Sequence, residues 1–181
     1  MKPKSNDVIE IFNFMKKQSL SNLIKLLNDP DEDLSYFAAE AIGELGEKAA
    51  PAIPDLLRLL SNVDHRNDDD SLNRQAAWAL GKIGTLAMPA LIEVLESNDI
   101  HAAQFAAMGL GEMGGKAELA IPALAQALKF GNPLVSEAAA EALGRIGEKA
   151  ASVLMEALKD QNEDVRQNAD DSLCRFFPDL E

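Results

Sequence analysis

The chain has 181 residues, of which 47% are hydrophobic, a share sufficient for a soluble domain. Its 30 acidic residues against 17 Lys and Arg give a formal net charge of −13, which disfavours nucleic acid and anionic membranes as partners. A single cysteine excludes an intrachain disulfide, the N-terminal residues lack the apolar stretch of a signal peptide, and no apolar run approaches the roughly 20 residues that span a bilayer. These features predict a protein of the reducing cytoplasm.

The first predicted element is a helix over residues 5–17. Val8, Ile9, Phe12 and Met15 recur in it at helical spacing and give it one apolar face. The residues that follow are repetitive, and a repeat array needs terminal units that shield its ends from water. We therefore expect residues 1–18 to form an N-terminal cap.

One nonapeptide then recurs through the chain. It reads AAEAIGELG at 38–46, AAWALGKIG at 76–84, AAMGLGEMG at 106–114 and AAEALGRIG at 139–147, with a decayed copy, ADDSLCRFF, at 169–177. Repetition at this period indicates a stack of helical units. Pairing each copy with the apolar helix before it predicts one domain over 1–181, with repeats at about 19–47, 49–84, 86–114, 118–147 and 149–177.

The residues around the fourth copy show how a repeat is expected to fold. Apolar residues at helical spacing predict helices over 135–146 and about 149–159, with Pro133 near the start of the earlier helix and Gly147 at its end. Gly144 lies inside that helix, although glycine there costs about 1 kcal/mol relative to alanine. Other copies carry a small residue at the same place, so we predict a closely packed seam between repeats at Gly43, Gly81, Gly111, Gly144 and a buried Cys174.

The residues also resemble a known family. The pattern D-x-x-V-R-x-x-A-A-x-A-L-G-x-I-G, with a period near 30, is similar to the short HEAT repeats of the phycobilisome-lyase-like class. Its front half is matched best by Asn162-Glu163-Asp164-Val165-Arg166 and its back half by residues 139–147. The resemblance implies an all-α fold, a right-handed α-solenoid of about five HEAT-like helical hairpins with an N-terminal capping helix.

The arginine of that pattern is present once, at Arg166. The matching places hold Ser35, Asn73, Ala103 and Ser136. We therefore expect a charge ladder between repeats to be mostly absent, and apolar packing to carry the stability. Asp31, Asp69, Asp99, Asn132 and Asn162 stand where the pattern has its acidic residue, and Asp or Asn in these connecting segments is a suitable helix N-cap.

In arrays of this family the second helix of each hairpin lines the concave face, which is the usual binding surface. The resemblance thus implies that variable positions of the second helices face a partner. An aromatic patch with an acidic border there would suit a protein or peptide that offers apolar anchors and Lys or Arg. The predicted partner-binding residues are Tyr36, Phe37, Glu40, Glu44, Arg74, Trp78, Lys82, His101, Gln104, Phe105, Met108 and Glu112.

An alternative is open for three of these aromatic residues. Phe37 and Phe105 could turn sideways into the seam between helices, and so could Trp78. Substitution of Trp78 and Met108 by alanine distinguishes a place on the binding surface from a place in the core. A surface role predicts lost binding with a nearly unchanged melting temperature, and a core role predicts a large loss of stability.

No catalytic, metal or cofactor site is predicted. The acidic cluster of Asp64, Asp68, Asp69 and Asp70, in the segment 61–73, lacks the alternating ligands, central glycine and terminal glutamate of an EF-hand, so we expect a solvated loop. The two histidines, His65 and His101, are far apart and neither precedes a glutamate, unlike the His-Glu motifs of HEAT-repeat deoxyhypusine hydroxylases.

These observations favour a non-enzymatic scaffold that binds a partner protein or peptide, with no cofactor. The alternative is a bilin lyase subunit or a chaperone-like partner of phycobiliproteins, which the repeat class implies. A DNA glycosylase built on such repeats is disfavoured because it would need a basic groove. We expect a monomer or a weak dimer, with Phe176 and Phe177 as a candidate apolar end.

Overall fold

The computed structural model describes residues 8–61, 70–130 and 132–179. Within these ranges the regular elements are all helical, as predicted. The α-helices are α1 (Val8–Met15), α2 (Leu20–Leu26), α3 (Glu32–Glu44), α4 (Ile53–Leu60), α5 (Ser71–Ile83), α6 (Met88–Leu95), α7 (Ile100–Glu112), α8 (Ile121–Leu128), α9 (Pro133–Ile146), α10 (Glu148–Ala157) and α11 (Glu163–Phe176). Short 3-10 segments, Gly46–Ala52, Gly84–Leu86 and Gly114–Ala120, precede α4, α6 and α8.

After α1, the helices pair into five hairpins, which confirms the predicted number of repeats. The first helices of the hairpins are α2, α4, α6, α8 and α10, and the second helices are α3, α5, α7, α9 and α11. Each second helix packs along the next one, whereas contacts between successive first helices are sparse. The structure is therefore an all-α solenoid whose layer of second helices is the more closely packed of the two.

The polar residues of the hairpin turns cap the second helices, as the sequence predicted. Asp31 accepts a hydrogen bond from the backbone N–H of Asp33 at 3.2 Å, and Asp99 accepts one from Ala102 at 3.0 Å. Asn132 and Asn162 do the same for α9 and α11. Each cap satisfies a helical N–H that has no partner within the helix, a contribution of about 1 kcal/mol.

The glycine seam is confirmed by what a methyl group would meet there. A Cβ on Gly81 would lie 2.9 Å from the carbonyl oxygen of Gly109, on the next second helix. A Cβ on Gly111 would lie 3.0 Å from the Cα of Ala142. Glycine thus lets neighbouring second helices approach within distances that a side chain would forbid, which explains its recurrence despite its cost in helix propensity.

The last repeat departs from the predicted seam. Cys174 is exposed and not buried, because α11 is the last second helix and nothing described lies beyond it to cover this place. Phe176 instead turns back, and its Cε2 would come within 2.8 Å of a Cβ on Gly144. Phe177 is half-buried and packs on the core. The predicted apolar end at these two phenylalanines is therefore wrong, since both rings face the body of the stack.

Helix α1 covers the other end of the array. It packs against α3, with Ile11 and Met15 buried and Phe14 packed on the core, so a capping helix is confirmed. The helix ends at Met15, two residues before the predicted end at 17, and residues 5–7 and the side chains of Val8, Ile9 and Phe12 lie outside the described residues. Among the described helices, none combines the length and the apolar character needed to cross a bilayer.

Candidate functional site

The exposed side of the second-helix layer carries three residues from each repeat, four positions apart. Residues i, i+4 and i+8 of a helix project from one side, so each second helix contributes a short column. All of these side chains are exposed or half-buried. We call this surface the outer stripe; it consists of Tyr36, Glu40 and Glu44, then Arg74, Trp78 and Lys82, then Gln104, Met108 and Glu112, then Glu137, Glu141 and Arg145, and finally Gln167, Asp171 and Arg175.

The remaining three predicted partner-binding residues, Phe37, Phe105 and His101, lie outside the outer stripe. Phe105 is 0% exposed, so its predicted place in a binding groove is wrong. Phe37, at the same position of α3, is half-buried, packs on the core and meets the ring of Tyr36 edge-on at 5.4 Å between centroids. His101 lies four residues before Phe105, in the first turn of α7, and is half-buried. Phe37 and Phe105 each follow an outer-stripe residue by one position, which turns their side chains about the helix axis away from that surface and towards the core.

Trp78 belongs both to the outer stripe and to the seam. Its ring occupies the space beside Gly43, where an added Cβ would come within 2.9 Å of the ring atom Cε3. The ring is half-buried, and the Nζ of Lys82 lies over it at 5.4 Å from the centroid, a cation–π arrangement. The residue therefore joins repeats 1 and 2 while part of its ring stays on the surface. The expected indifference of stability to its removal does not fit this packing.

Two carboxylates of α3, the helix whose Gly43 lies against Trp78, form no ion pair in the described part of the chain. No basic group of the described residues lies within 4.0 Å of Glu40 or Glu44. Burial and the neighbouring Glu44 raise the pKa of the Glu40 carboxyl above its ordinary value, and Lys16 opposes that shift. Glu40 and Glu44 thus repel each other, and neither forms an ion pair with a described basic residue.

At the other end of the outer stripe, arginines form ion pairs with Glu112 and Glu141. Arg145 bonds Glu112 of the preceding repeat at 2.7 Å and Glu141 of its own helix at 3.0 Å. Arg175 of the last repeat approaches Glu141 at 4.0 Å. The Arg145–Glu112 and Arg175–Glu141 pairs link repeats 3, 4 and 5, so the prediction that a charge ladder is mostly absent is wrong at this position. The repeat pattern does not reveal these two pairs, because they join residues more than 30 apart in sequence.

The position that holds arginine in the repeat pattern, occupied once by Arg166, stabilises single hairpins. Ser35 donates to the carbonyl of Leu26 at 3.2 Å, Asn73 to that of Leu59 at 2.8 Å, and Ser136 to that of Leu128 at 2.8 Å. Arg166 donates to the carbonyls of Asp160 and Gln161. Each of these side chains binds the end of the first helix or the turn within its own hairpin, and Ala103 cannot.

The described residues offer no grouping of His, Cys, Asp and Glu that could hold a metal ion. Most of the acidic segment 61–73, with His65, Asp64, Asp68 and Asp69, lies outside the described residues. Asp70 is described and exposed, and its side chain makes no capping bond to α5.

Comparison with solved structures finds other helical solenoids. The complex of CpcE and CpcF of phycocyanin lyase from Nostoc sp. PCC7120 is 19% identical over 84% of this chain and 96% of that chain, with a TM-score of 0.59. The TOG-domain protein crescerin, described as regulating microtubules in the primary cilium, is 17% identical over 97% of this chain and 79% of that chain, with a TM-score of 0.54. A designed armadillo repeat protein in complex with the peptide (KR)4 is 20% identical over 95% of this chain and 87% of that chain, with a TM-score of 0.52. At such identities the similarity concerns the fold.

No curated protein matches the chain significantly in sequence. The sequence profile of HEAT repeats, in contrast, matches residues 20–99 and 88–174, which together include all five hairpins. With the stacked hairpins and the glycine seam, this match identifies the chain as a member of the HEAT-repeat family.

Proposed function

We propose that this chain is a cytoplasmic, non-enzymatic scaffold, a single domain that binds an extended segment of another protein along the N-terminal half of the outer stripe. The partner segment carries Lys or Arg next to an apolar side chain. Tyr36, Glu40, Glu44, Trp78 and Met108 are the central contacts. Arg74, Lys82, Gln104 and Glu112 border them.

The observation that carries this proposal is that Glu40 and Glu44 form no ion pair with a described residue, on the same helix whose Gly43 lies against the partly exposed ring of Trp78. In the free protein burial, and after it repulsion from Glu44, raises the pKa of Glu40, and a basic side chain arriving there would relieve that repulsion. An apolar side chain packed on Trp78 and Met108 would add roughly 1.5–3 kcal/mol on full burial. Together these contacts favour a segment with alternating basic and apolar character.

The stacking geometry supports the same surface. Because second helices pack more closely than first helices, their layer is suited to line the concave side of a curved stack. The outer stripe, which is the exposed surface of this layer, would then face into the concave side. Inner surfaces of repeat stacks offer an extended face to a partner. Among the similar structures, the designed armadillo protein is in complex with a basic peptide, which is a precedent for this partner chemistry on a related fold.

The test uses the tryptophan at position 78, the only one in the chain, as an internal reporter. Two peptides are titrated, an octapeptide of alternating Lys and Arg and the same peptide with two central residues replaced by Leu. We expect saturable change in Trp78 emission, with tighter binding of the Leu-containing peptide. The double substitution Glu40→Gln and Glu44→Gln should weaken binding about tenfold, since each lost ion pair of this exposure contributes about 0.2–1 kcal/mol.

The matched control carries the same change of charge on the first-helix layer, with Glu93→Gln and Glu156→Gln. Both side chains are exposed, on α6 and α10, so affinity should change by less than about twofold. Equal weakening by the two double variants would mean that the peptides respond only to net charge. Absence of saturable binding by the wild type would refute a basic partner for this surface.

The phycocyanin lyase neighbour prompts one further arm of the same experiment. Free bilin is added in place of peptide, and its absorption spectrum is followed. A saturable spectral shift that the bound peptide abolishes would favour the chromophore-lyase alternative over the peptide-binding proposal.

A further inference from the structure

The turn of the fourth hairpin differs from the other described turns in one residue. Two positions before the N-cap, Asp29, Ser97 and Asp160 each accept a hydrogen bond from the backbone N–H of the capping residue, at 3.2, 3.3 and 2.9 Å. In the fourth hairpin this position holds Phe130, whose side chain cannot accept such a bond and is 66% exposed. The chain thus presents a large aromatic ring to solvent where this turn elsewhere has a polar side chain that accepts a hydrogen bond.

Two more exposed apolar residues lie on the same edge. Ile100, the first residue of α7, is 42% exposed, and Leu134, in the first turn of α9, is 45% exposed. In repeats 1 and 5 the residues that correspond to Ile100 are Glu32 and Glu163, and those that correspond to Leu134 are Asp33 and Asp164. Repeats 3 and 4 therefore replace acidic residues by apolar ones at this edge.

A cavity of about 130 Å³ opens between the third and fourth hairpins next to these residues. Its walls include Leu95, Ala103, Ala127 and Val135, and both Ile100 and Phe130 border it. Ala103, in the wall of this cavity, stands where the other four repeats have a hydrogen-bonding side chain. We call Ile100, Phe130, Leu134 and this cavity the turn patch.

We propose that the turn patch is a contact surface between two copies of this chain, related by a twofold axis. An isologous interface needs a surface that is complementary to itself. The turn patch meets that need because a projecting ring, Phe130, lies beside an apolar cavity, so each copy can place its ring against the cavity of the other. Contact between the two rings would add aromatic packing to the burial of apolar area.

Charge favours a second copy as the occupant. Two chains of net charge −13 repel each other, so they can approach only through a face that has few acidic groups. At the turn patch, Glu96 borders the cavity on the side of the third hairpin, and Lys129 lies on the side of the fourth. A twofold axis that runs along the boundary between the two hairpins exchanges these sides, so this orientation of the dimer brings Lys129 of each copy towards Glu96 of the other.

The size of the turn patch predicts weak association. Three apolar side chains and their rim bury less than the roughly 800 Å² per partner of a standard stable interface. We therefore expect a concentration-dependent dimer. The outer stripe contributes none of these residues, so this inference stands independently of the proposed peptide binding.

Sedimentation equilibrium over about 10 µM to about 1 mM measures the dissociation constant directly. Phe130→Asp places a charge in the centre of the turn patch and should weaken dimerisation at least tenfold. The matched control is Leu119→Asp, the same change of charge at a residue that is 77% exposed on the Gly114–Ala120 segment, and it should leave the constant unchanged. Thermal melts of both variants verify that they fold.

A charge exchange tests the orientation of the two copies. Lys129→Glu should weaken dimerisation by severalfold, and adding Glu96→Lys should restore it, because the pair then forms again with its signs reversed. A wild type that stays monomeric to about 1 mM would overturn the proposal and leave the turn patch to a different protein. A dimer that survives Phe130→Asp would overturn it as well, and would place the contact elsewhere.

Discussion

The two ends of the outer stripe use the same helix positions for opposite purposes. In repeats 3 to 5, Arg145 and Arg175 neutralise Glu112 and Glu141 across repeat boundaries. In repeats 1 and 2, Lys82 holds the position that corresponds to Arg145, yet it lies over the ring of Trp78 and forms no ion pair with Glu44. We call repeats 1 and 2 the binding end and repeats 3 to 5 the structural end. At this position of the nonapeptide the two ends differ in whether the carboxylate of the preceding repeat is paired.

The seam is common to both ends, so its disruption should have the largest effect. In Gly81→Ala, the new methyl group meets the carbonyl oxygen of Gly109 and the Cβ of Glu112, neither of which can move without shifting a helix backbone. We expect a loss of about 2 kcal/mol, or roughly 4–8 °C in melting temperature by circular dichroism, despite the better helix propensity of alanine.

Gly115→Ala is the control for this substitution. Gly115 is exposed, and the nearest atom to an added Cβ is a carbonyl oxygen at 3.7 Å, so stability should change by less than about 0.5 kcal/mol. Similar losses from both variants would show that the close approach of the second helices does not set the stability of the stack.

The binding end should be sensitive to Trp78→Ala in stability as well as in binding. The ring fills the space beside Gly43, so its loss leaves a void between repeats 1 and 2. Because the ring is half-buried, we expect a loss of about 1–2 kcal/mol, less than the 3–5 kcal/mol of a fully buried aromatic residue. Urea unfolding measures the loss. Phe130→Ala removes an aromatic ring that is mostly exposed, and it should leave the unfolding midpoint nearly unchanged.

The structural end should acquire features of the binding end in Arg145→Gln. The substitution removes the cation shared by Glu112 and Glu141 and leaves both carboxylates without it. Stability should fall by less than about 1 kcal/mol, and the loss should disappear at high salt, as for other exposed ion pairs. The same variant should bind the basic octapeptide more tightly by about two- to threefold. An unchanged affinity would show that free carboxylates alone do not make a binding surface on this layer.

The smallest effect is expected from Glu40→Gln. Burial and Glu44 raise the pKa of Glu40 in the folded chain, so the folded state binds this proton more tightly than the unfolded state does. The contribution of the protonated Glu40 carboxyl to folding stability is fully present below the ordinary glutamate pKa, and it is lost as pH rises through the raised pKa. Glu40→Gln should therefore be as stable as the wild type near pH 4 and more stable near pH 7. The gain in free energy of unfolding should be less than about 0.5 kcal/mol, because the Glu40 carboxyl is partly solvated, and thermal melts at the two pH values measure it.

The elements that the sequence predicted well are those that depend on local, repeated requirements. Glycine at 43, 81, 111 and 144 marks the seam because only the absence of a Cβ permits the close approach of the helices. Asp and Asn mark the N-caps because a helix start needs a nearby acceptor. These requirements act within a few residues, so the spacing of the repeats reveals them.

The errors in the candidate site have another cause. Phe105 and Gln104 are neighbours in sequence, and a rotation of α7 by one residue decides which of them faces solvent. That rotation is set by packing against α5 and α9, which periodicity does not specify. The pairing of Glu112 with Arg145 depends on the register of two stacked helices. Cys174 occupies the same position of the nonapeptide as the seam glycines, but no described helix packs beyond α11, so this position is buried in other repeats and exposed in the last one.

Ala103 has a consequence for how the stack opens. In the other four repeats a side chain at this place ties the second helix to the end of the first helix or to the turn, and the third hairpin lacks this tie. Amide protons of the turn at 96–99 should therefore exchange with solvent faster than those of the first, fourth and fifth turns. In a linear array, where each unit is stabilised by its neighbours, a loosened central unit separates the regions on either side into partly independent cooperative blocks. Opening is then expected to begin at the middle of the array as well as at its ends.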